Sequence, residues 1–339
     1  MFKLNLTMRN RKVFIHVGLP KTASTLLQEL VFPALRDVTY ISRPYTQENH
    51  AFNKLQYADD SIYAAEELRN EMNNIITLEP TKKVLISDEL LSGAPFYNFL
   101  NRGLIARRLA EILPDAEVIL FLRGQKDIIR SLYNQYVKIG WFTGELNARF
   151  ISYPGKGFDL QDFVKGKRDW NIHNRFISHQ SFMNQYHFFF YELVKLYEDN
   201  LTKVHVFLYE DLLTRPEVVL LRLEELFETK LPETVLERVK TTNVNPKLSD
   251  DEIEAQRVRG RLKLLFPRRE YKLIKKALGG FLAFTMRENG SLNRAEKHLG
   301  EIVDPGLFGR NNLKLAESYP DLRINRYPES YFLDDRANS

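Results

Sequence analysis

The sequence contains no cysteine among its 339 residues. Disulfides, zinc–thiolate centres and cysteine nucleophiles are therefore excluded, although this says nothing about the compartment. The seven histidines also lack the spacing of metal ligands, so no metal-binding residues are predicted.

Long apolar runs are missing as well. No stretch reaches the roughly 18 apolar residues that a membrane span requires, and the first ten residues lack the apolar segment of a signal peptide. We therefore expect a soluble, cytoplasmic protein without a transmembrane anchor.

The charge balance is modestly basic, with a formal net charge of +5. This suits an anionic small ligand better than nucleic acid, which we do not expect as a partner. Most of the basic excess lies at 257–276, where nine Lys or Arg residues accompany a single acid, Glu270. This run is read as a solvated helix face, or else as a contact for an acidic glycan or a membrane surface.

Strand-like and helix-like segments alternate along most of the chain, which predicts an α/β fold with a central parallel sheet between helices. We expect one domain over residues 1–339, with an α/β core at 12–228, an inserted region at about 140–180, and a helical part without strands at 243–339. Residues 43–60 are expected to form a loop that faces substrate. The expected strands are 12–17, 39–41, 83–87, 117–122 and 204–208, and the expected helices are 24–33, 61–78, 102–113, 126–137, 181–199 and 216–227.

The organising stretch is Val13–Leu26, an apolar strand followed by a tight loop and a helix start. Such a loop can hold a phosphate with its N–H groups and the helix dipole. It is not a Walker A sequence, because residues 23–25 read Ala-Ser-Thr where that motif needs Gly-Lys-Ser/Thr. The loop's lysine is Lys21, which lies earlier than the Walker lysine. The loop therefore indicates an anionic nucleotide that is handled differently.

The segment Gly-Leu-Pro-Lys-Thr-Ala-Ser-Thr at 18–25 resembles the 5′-phosphosulfate loop of PAPS-dependent sulfotransferases, in their soluble bacterial type. The family pattern is Pro-Lys-Ser/Thr-Gly-Thr/Ser-Thr, and the chain departs from it with Ala23 in place of glycine. The resemblance implies a P-loop-type three-layer fold, PAPS as donor and 3′,5′-ADP as product. It also implies that the sulfuryl donor is bound by Lys21, Thr22, Ala23, Ser24 and Thr25.

Two further motifs extend the resemblance. Arg123 follows a strong apolar strand and Ser131 lies eight residues later, the interval at which the family's Arg and Ser bind the 3′-phosphate. The segment Tyr-Glu-Asp-Leu at 209–212 resembles a family segment after a late strand, which implies that Tyr209 meets the adenine. Glu210 and Asp211 are expected to cap the helix that begins at Pro216.

Asp88 and Glu89 directly follow a buried strand, where a carboxylate could take the proton of an acceptor hydroxyl. Aligning this strand with the family's places Glu89 at the catalytic base, with Asp88 as the alternative. A helix cap or a salt-bridged pair would also explain two carboxylates here.

The resemblance thus implies sulfuryl transfer to a hydroxyl, with Lys21 at the leaving phosphate and Glu89 as base. A carbohydrate or glycolipid acceptor is expected by analogy, and a small alcohol or phenol stays open. The alternatives are a P-loop small-molecule kinase and a non-catalytic nucleotide or polyanion binder. A C-terminal basic segment closes over the 3′-phosphate in the family, for which Arg259-Gly260 and Gly309-Arg310-Asn311 are the candidates. The sequence leaves the oligomeric state open.

Overall fold

A computed structural model describes residues 11–42, 51–77, 83–94, 99–139, 151–152, 183–242, 250–265 and 305–333. The chain divides into two compact units. The first comprises Met1–Gly124, Phe189–Val244 and Asn311–Glu329, and the second comprises Gln125–Phe188, Asn245–Arg310 and Ser330–Ser339. The single domain expected from the sequence stays a prediction.

A five-stranded parallel sheet forms the centre of the first unit. Its strands are β1 (Lys12–Val17), β2 (Val38–Ser42), β3 (Lys83–Asp88), β4 (Glu117–Leu122) and β7 (Lys203–Leu208). They are ordered β2-β3-β1-β4-β7, so the first strand lies in the middle. The expectation of a parallel sheet flanked by helices is confirmed. Most of the strands contain continuous apolar runs, which is typical of strands that are buried on both faces.

Helices cover the two faces of this sheet. The helices of the first unit are α1 (Ser24–Leu26), α2 (Ala51–Tyr57), α3 (Ala65–Thr77), α4 (Arg102–Ile112), α6 (Phe190–Glu198), α7 (Tyr209–Thr214), α8 (Pro216–Phe227) and α9 (Glu233–Thr241). Helix α1 continues as a π-helical turn (Leu27–Val31) and a 3₁₀ turn (Phe32–Ala34). On one face, Phe14, Phe121 and Phe207 pack with this turn and with α7, α8 and α9 in one buried cluster. Full burial of each such side chain contributes about 1.5–3 kcal/mol.

The second unit contains α5 (Gln125–Ile139), the two-residue strands β5 (Ile151–Ser152) and β6 (Met183–Asn184), α10 (Asp250–Leu265) and the start of α11 (Pro305–Ser318). Helix α5 buries its apolar positions at helical spacing and contacts α10. Gln125 Nε2 donates to the carbonyl of Phe188 at 3.1 Å, and Ser330 Oγ donates to Asp127 at 3.1 Å.

Three expectations about elements are corrected. Residues 51–57 form helix α2, whereas a loop was expected over 43–60, of which 43–50 lie outside the described residues. The helix expected at 181–199 begins only at Phe190, after a short strand and a 3₁₀ turn. The helix expected at 61–78 begins at Ala65. In the described part of 243–339 the elements are helical, while most of the expected insertion at 140–180 lies outside the described residues.

Candidate active site

The candidate site is built at the carboxyl edge of the sheet, where the loops after parallel strands meet. The loop with Lys21 follows β1, Glu89 follows β3, Arg123 follows β4 and Tyr209 follows β7. Because these strands are neighbours in the order β3-β1-β4-β7, four segments that are distant in sequence reach one edge of the first unit.

The loop after β1 is braced from inside by two of its own hydroxyls. Thr22 Oγ1 donates to the carbonyl of Leu19 at 2.6 Å, and Ser24 Oγ donates to the same oxygen at 3.2 Å. Both hydroxyl hydrogens are therefore used within the loop, so these two residues offer an anion their backbone N–H groups. The Thr25 side chain is half-buried.

Two non-glycine residues of this loop have left-handed backbone angles. Lys21 and Ala23 both have φ near 67°, and Ala23 precedes the first helical residue with ψ near 22°. This conformation costs an L-residue roughly 1–2 kcal/mol. The departure from the family pattern thus falls at the position where glycine would be free of this strain.

The helix after the loop is tied to the sheet by a buried polar network. Gln28 Nε2 donates to Ser87 Oγ at 2.9 Å, and Tyr40 Oη donates to the carbonyl of Gln28 at 3.2 Å. A π-turn interrupts the regular helical hydrogen bonding, and the Tyr40 hydroxyl gives the Gln28 carbonyl a partner. The network also includes His16, whose Nδ1 lies 2.7 Å from Ser87 Oγ.

His16 is completely buried between the rings of Phe32 and Phe121. Burial lowers the pKa of its imidazole to about 3, because the charged form would be desolvated. His16 is therefore neutral at physiological pH and packs in the core.

Arg123 connects three parts of the site. Its Nη1 donates to the carbonyl of Lys21 at 2.9 Å, and its guanidinium lies 4.4 Å from the ring centroid of Tyr209. The side chain is only 8% exposed, and its Nε is buried without a hydrogen-bond partner among the described residues. The structure thus brings Lys21, Arg123 and Tyr209 together.

Ser131 lies on α5, in the second unit, and is half-buried there. Its pairing with Arg123 on a shared phosphate therefore stays a prediction.

The acids after Tyr209 do not cap the helix at Pro216, which corrects the expectation. Glu210 Oε1 accepts from the N–H of Gly124 at 2.9 Å and so fixes the turn after β4. Asp211 accepts from Arg215 and from the Tyr327 hydroxyl, the latter at 2.7 Å. The helix at Pro216 has no side-chain cap.

The two carboxylates after β3 occupy different surroundings. Asp88 is fully buried, accepts from Gln56 Nε2 at 2.7 Å and caps the short 3₁₀ turn Glu89–Ser92 by accepting from the N–H of Leu90 at 2.9 Å. Glu89 is half-buried and lies against Gly18, where an added Cβ would be 3.2 Å from Glu89 Cγ. Glu89 is therefore the carboxylate beside the loop, while Asp88 is held as a structural cap.

Comparison with known proteins identifies the family of this chain. Residues 10–258 match the family described as the sulfotransferase domain. The chain belongs to the sulfotransferase family. The crystal structure of a sulfotransferase from Alicyclobacillus acidocaldarius matches the chain with a TM-score of 0.42 and 14% identity, over 77% of this chain and 99% of that one. No curated protein matches the chain at a significant level.

Other features of this sulfotransferase family member bear on ligands and membranes. Within the described residues, no group of three or more His, Asp or Glu side chains could hold a metal ion. The helices described here include none that is long and apolar enough to cross a bilayer. Of the expected C-terminal phosphate contacts, Arg259 and Arg310 are exposed, whereas Asn311 is buried against α6. Most of the basic run 257–276 lies outside the described residues.

Three residues around the site of this sulfotransferase were missed by the sequence reasoning. Gln56 binds Asp88, Glu210 binds the turn after Arg123, and Ser92 binds the carbonyl of Gly18 at 3.0 Å. Their partners are 32, 86 and 74 residues away, so no local pattern could have revealed them. Such contacts could be suggested only once the order of the strands in the sheet is known.

Proposed function

We propose that this protein transfers a sulfuryl group from PAPS to a hydroxyl acceptor. The observation that carries the proposal is the position of Arg123, which contacts the Lys21 loop, stacks on Tyr209 and keeps a buried Nε without a partner among the described residues. An unpaired buried donor is costly, and an anionic oxygen would satisfy it. The family match supports sulfuryl transfer as the reaction class.

The residues at this edge fit a donor with two phosphate groups. The N–H groups of Thr22, Ala23, Ser24 and Thr25 would hold the 5′-phosphate, since the helix start adds positive potential. Arg123 would hold the 3′-phosphate with Ser131, and Tyr209 would meet the adenine. When bound, PAPS supplies the sulfuryl group as a sulfate–phosphate anhydride.

Lys21 and Glu89 have complementary roles in the proposed reaction. The acceptor oxygen forms a bond to sulfur while the bond from sulfur to the bridging phosphate oxygen breaks. Glu89 takes the acceptor's proton, and the Lys21 ammonium neutralises the charge left on the phosphate. The close approach of Glu89 to Gly18 supports this division of roles, because Gly18 begins the loop that would hold the leaving phosphate.

We propose a carbohydrate or glycolipid as acceptor and the cytoplasm as the site of action. A carboxylate base and the aromatic residues at 40–57 and 140–190 suit a sugar, whose rings stack on aromatic side chains. The basic run at 257–276 would suit an acidic glycan or a peripheral contact with a membrane surface.

The proposal is tested by transfer of labelled sulfate from PAPS to a panel of glycans, glycolipids and phenols. We expect Lys21→Ala and Glu89→Gln to lower kcat by about 10²–10³-fold, the usual contribution of such groups. Glu29→Gln is the matched control, because Glu29 is exposed on the helix that follows the loop. It should leave kcat unchanged.

Two outcomes would contradict the proposal and indicate a different function. Transfer from ATP that stops when Mg²⁺ is chelated would indicate a kinase. Binding of 3′,5′-ADP without transfer to any acceptor in the panel would indicate a nucleotide binder.

A further inference from the structure

Two segments of the proposed site are in close contact at Gly18. They are the donor loop, residues 18–25, and the base segment, Glu89–Ser92, which contains the proposed base. A Cβ added to Gly18 would lie 3.0 Å from Ser24 Oγ, 3.2 Å from Glu89 Cγ and 3.3 Å from Glu89 Cα. Gly18 is not in a left-handed conformation. Its lack of a side chain therefore serves the close approach of the two segments.

A hydroxyl also links the same two segments. Ser92 is fully buried, and its Oγ lies 3.0 Å from the carbonyl of Gly18 and 2.8 Å from the carbonyl of Glu89. Its single hydrogen is shared between one acceptor on the donor loop and one on the base residue itself.

The base segment is also held firmly from its other sides. Besides the Asp88 cap, Arg102 Nε donates to the carbonyl of Ser92 at 3.1 Å, and Tyr197 Oη donates to the carbonyl of Leu91 at 3.2 Å. Arg102 and Tyr197 are both buried. The turn therefore keeps its own shape, and its distance from the donor loop depends on the contacts with Gly18.

We propose that Gly18 and Ser92 are positioning residues, which couple the donor loop to the base segment and set the distance between them. This inference rests on the proposed function, in which the loop holds the leaving phosphate and Glu89 receives the proton. An error of about 1 Å between reacting groups can cost 10²-fold in rate. We therefore expect Ser92→Ala and Gly18→Ala to lower kcat by about tenfold, with the KM for PAPS changed less than threefold.

Thr202→Val is the matched control. Thr202 Oγ1 makes a hydroxyl-to-carbonyl bond of 2.8 Å to Ala116, just before β7 begins and thus at the opposite edge of the sheet. This variant loses the same kind of bond without touching the site, and it should keep the wild-type kcat.

The coupling itself is measured without turnover, by hydrogen exchange of the amides at 88–93 with and without 3′,5′-ADP. In the wild type and in Thr202→Val, we expect the ligand to slow exchange of this segment by about tenfold. In Ser92→Ala, the ligand should still slow exchange in the donor loop, but the effect at 88–93 should fall to less than threefold.

The outcomes separate this inference from the proposed function. If Ser92→Ala binds 3′,5′-ADP and protects 88–93 as the wild type does, the coupling is wrong while the proposed function stands. If the wild type itself does not bind 3′,5′-ADP, the proposed function is wrong and the coupling has no basis. Equal losses of kcat in Ser92→Ala and Thr202→Val would show a general packing effect and would also overturn the coupling.

Discussion

At the scale of single residues, the backbone of Ala23 is strained, and this strain should lower the stability of the fold by a measurable amount. Ala23 adopts a left-handed conformation between the Lys21 loop and the helix. Glycine adopts this conformation without a steric penalty, although it has more freedom to lose on folding.

We predict that Ala23→Gly raises the free energy of unfolding by about 0.5–1 kcal/mol. The measurement is urea denaturation at constant m-value. Ala110→Gly, within the regular helix α4, is the control and should lower stability by about 1 kcal/mol. Destabilisation by both changes would contradict the assigned backbone strain.

Arg123 makes its contacts through the planar shape of the guanidinium. A lysine could keep the charge but not the stacked ring contact together with the bond to the Lys21 carbonyl. We predict that Arg123→Lys weakens 3′,5′-ADP binding by about 2 kcal/mol, or about 30-fold, in calorimetry.

The control for this substitution is Arg222→Lys. Arg222 also stacks at 4.4 Å on an aromatic ring, that of Phe207, but it lies on α8. It should bind the nucleotide as the wild type does. Equal losses in both variants would refute a direct role of Arg123.

At the scale of elements, the buried His16 on β1 makes the stability of the folded protein depend on pH. The pKa of His16 is lowered from 6.5 to about 3 in the folded state. Below pH 6.5 the unfolded chain therefore binds a proton that the folded protein does not, so stability is fully present at neutral pH and falls as the pH is lowered toward 3.

We predict that the free energy of unfolding falls, through His16 alone, by about 1.4 kcal/mol per pH unit between pH 6 and 5. His16→Asn, whose amide can still reach Ser87, should remove this slope in urea denaturation even if it lowers stability at pH 7. His205→Gln should alter the slope less, since Glu117 lies 2.5 Å from His205 Nε2 and opposes the lowering of its pKa by burial. An unchanged slope in His16→Asn would show that another group titrates.

The elements also show what the sequence could and could not predict. The strands around Phe14 and Leu120 were predicted within a residue, because buried parallel strands are continuous apolar runs. Helix α2 was missed because it is only seven residues long and lies in a polar, aromatic stretch without a clear apolar period.

In the candidate site, the positions of the loop and of Arg123 at strand ends could be predicted, because an apolar run followed by a loop is a local pattern. The difference between the surroundings of Asp88 and of Glu89 could not. It depends on Gln56 and Gly18, which only the folded chain brings to them.

At the scale of the whole molecule, the compact unit around the sheet extends beyond the matched family region. Residues 311–329 belong to the same compact unit as the sheet, although the family match ends at residue 258. Asn311 explains part of this, because its Oδ1 accepts from the N–H of Tyr191 at 3.1 Å and its Nδ2 donates to Glu192. It thus gives a partner to an N–H in the first turn of α6.

We predict that Asn311→Ala lowers the free energy of unfolding by about 1–3 kcal/mol, because the partly buried N–H of Tyr191 loses its acceptor. Asn325→Ala is the control, since Asn325 is exposed and should change stability by less than about 0.5 kcal/mol. Chemical denaturation of both variants tests this. A neutral Asn311→Ala would mean that the C-terminal residues do not support α6.

The strand order also has a consequence for the size of the ligand that this edge could bind. Glu89 and Arg123 follow β3 and β4, which lie on either side of β1. Because neighbouring strands are about 4.8 Å apart, the ends of these two strands are separated by about 10 Å. The backbone hydrogen bonds of the sheet maintain this distance. Substitution of a side chain at the edge would therefore change which chemical groups of a ligand are contacted. It would leave the length of ligand that spans the two strand ends unchanged.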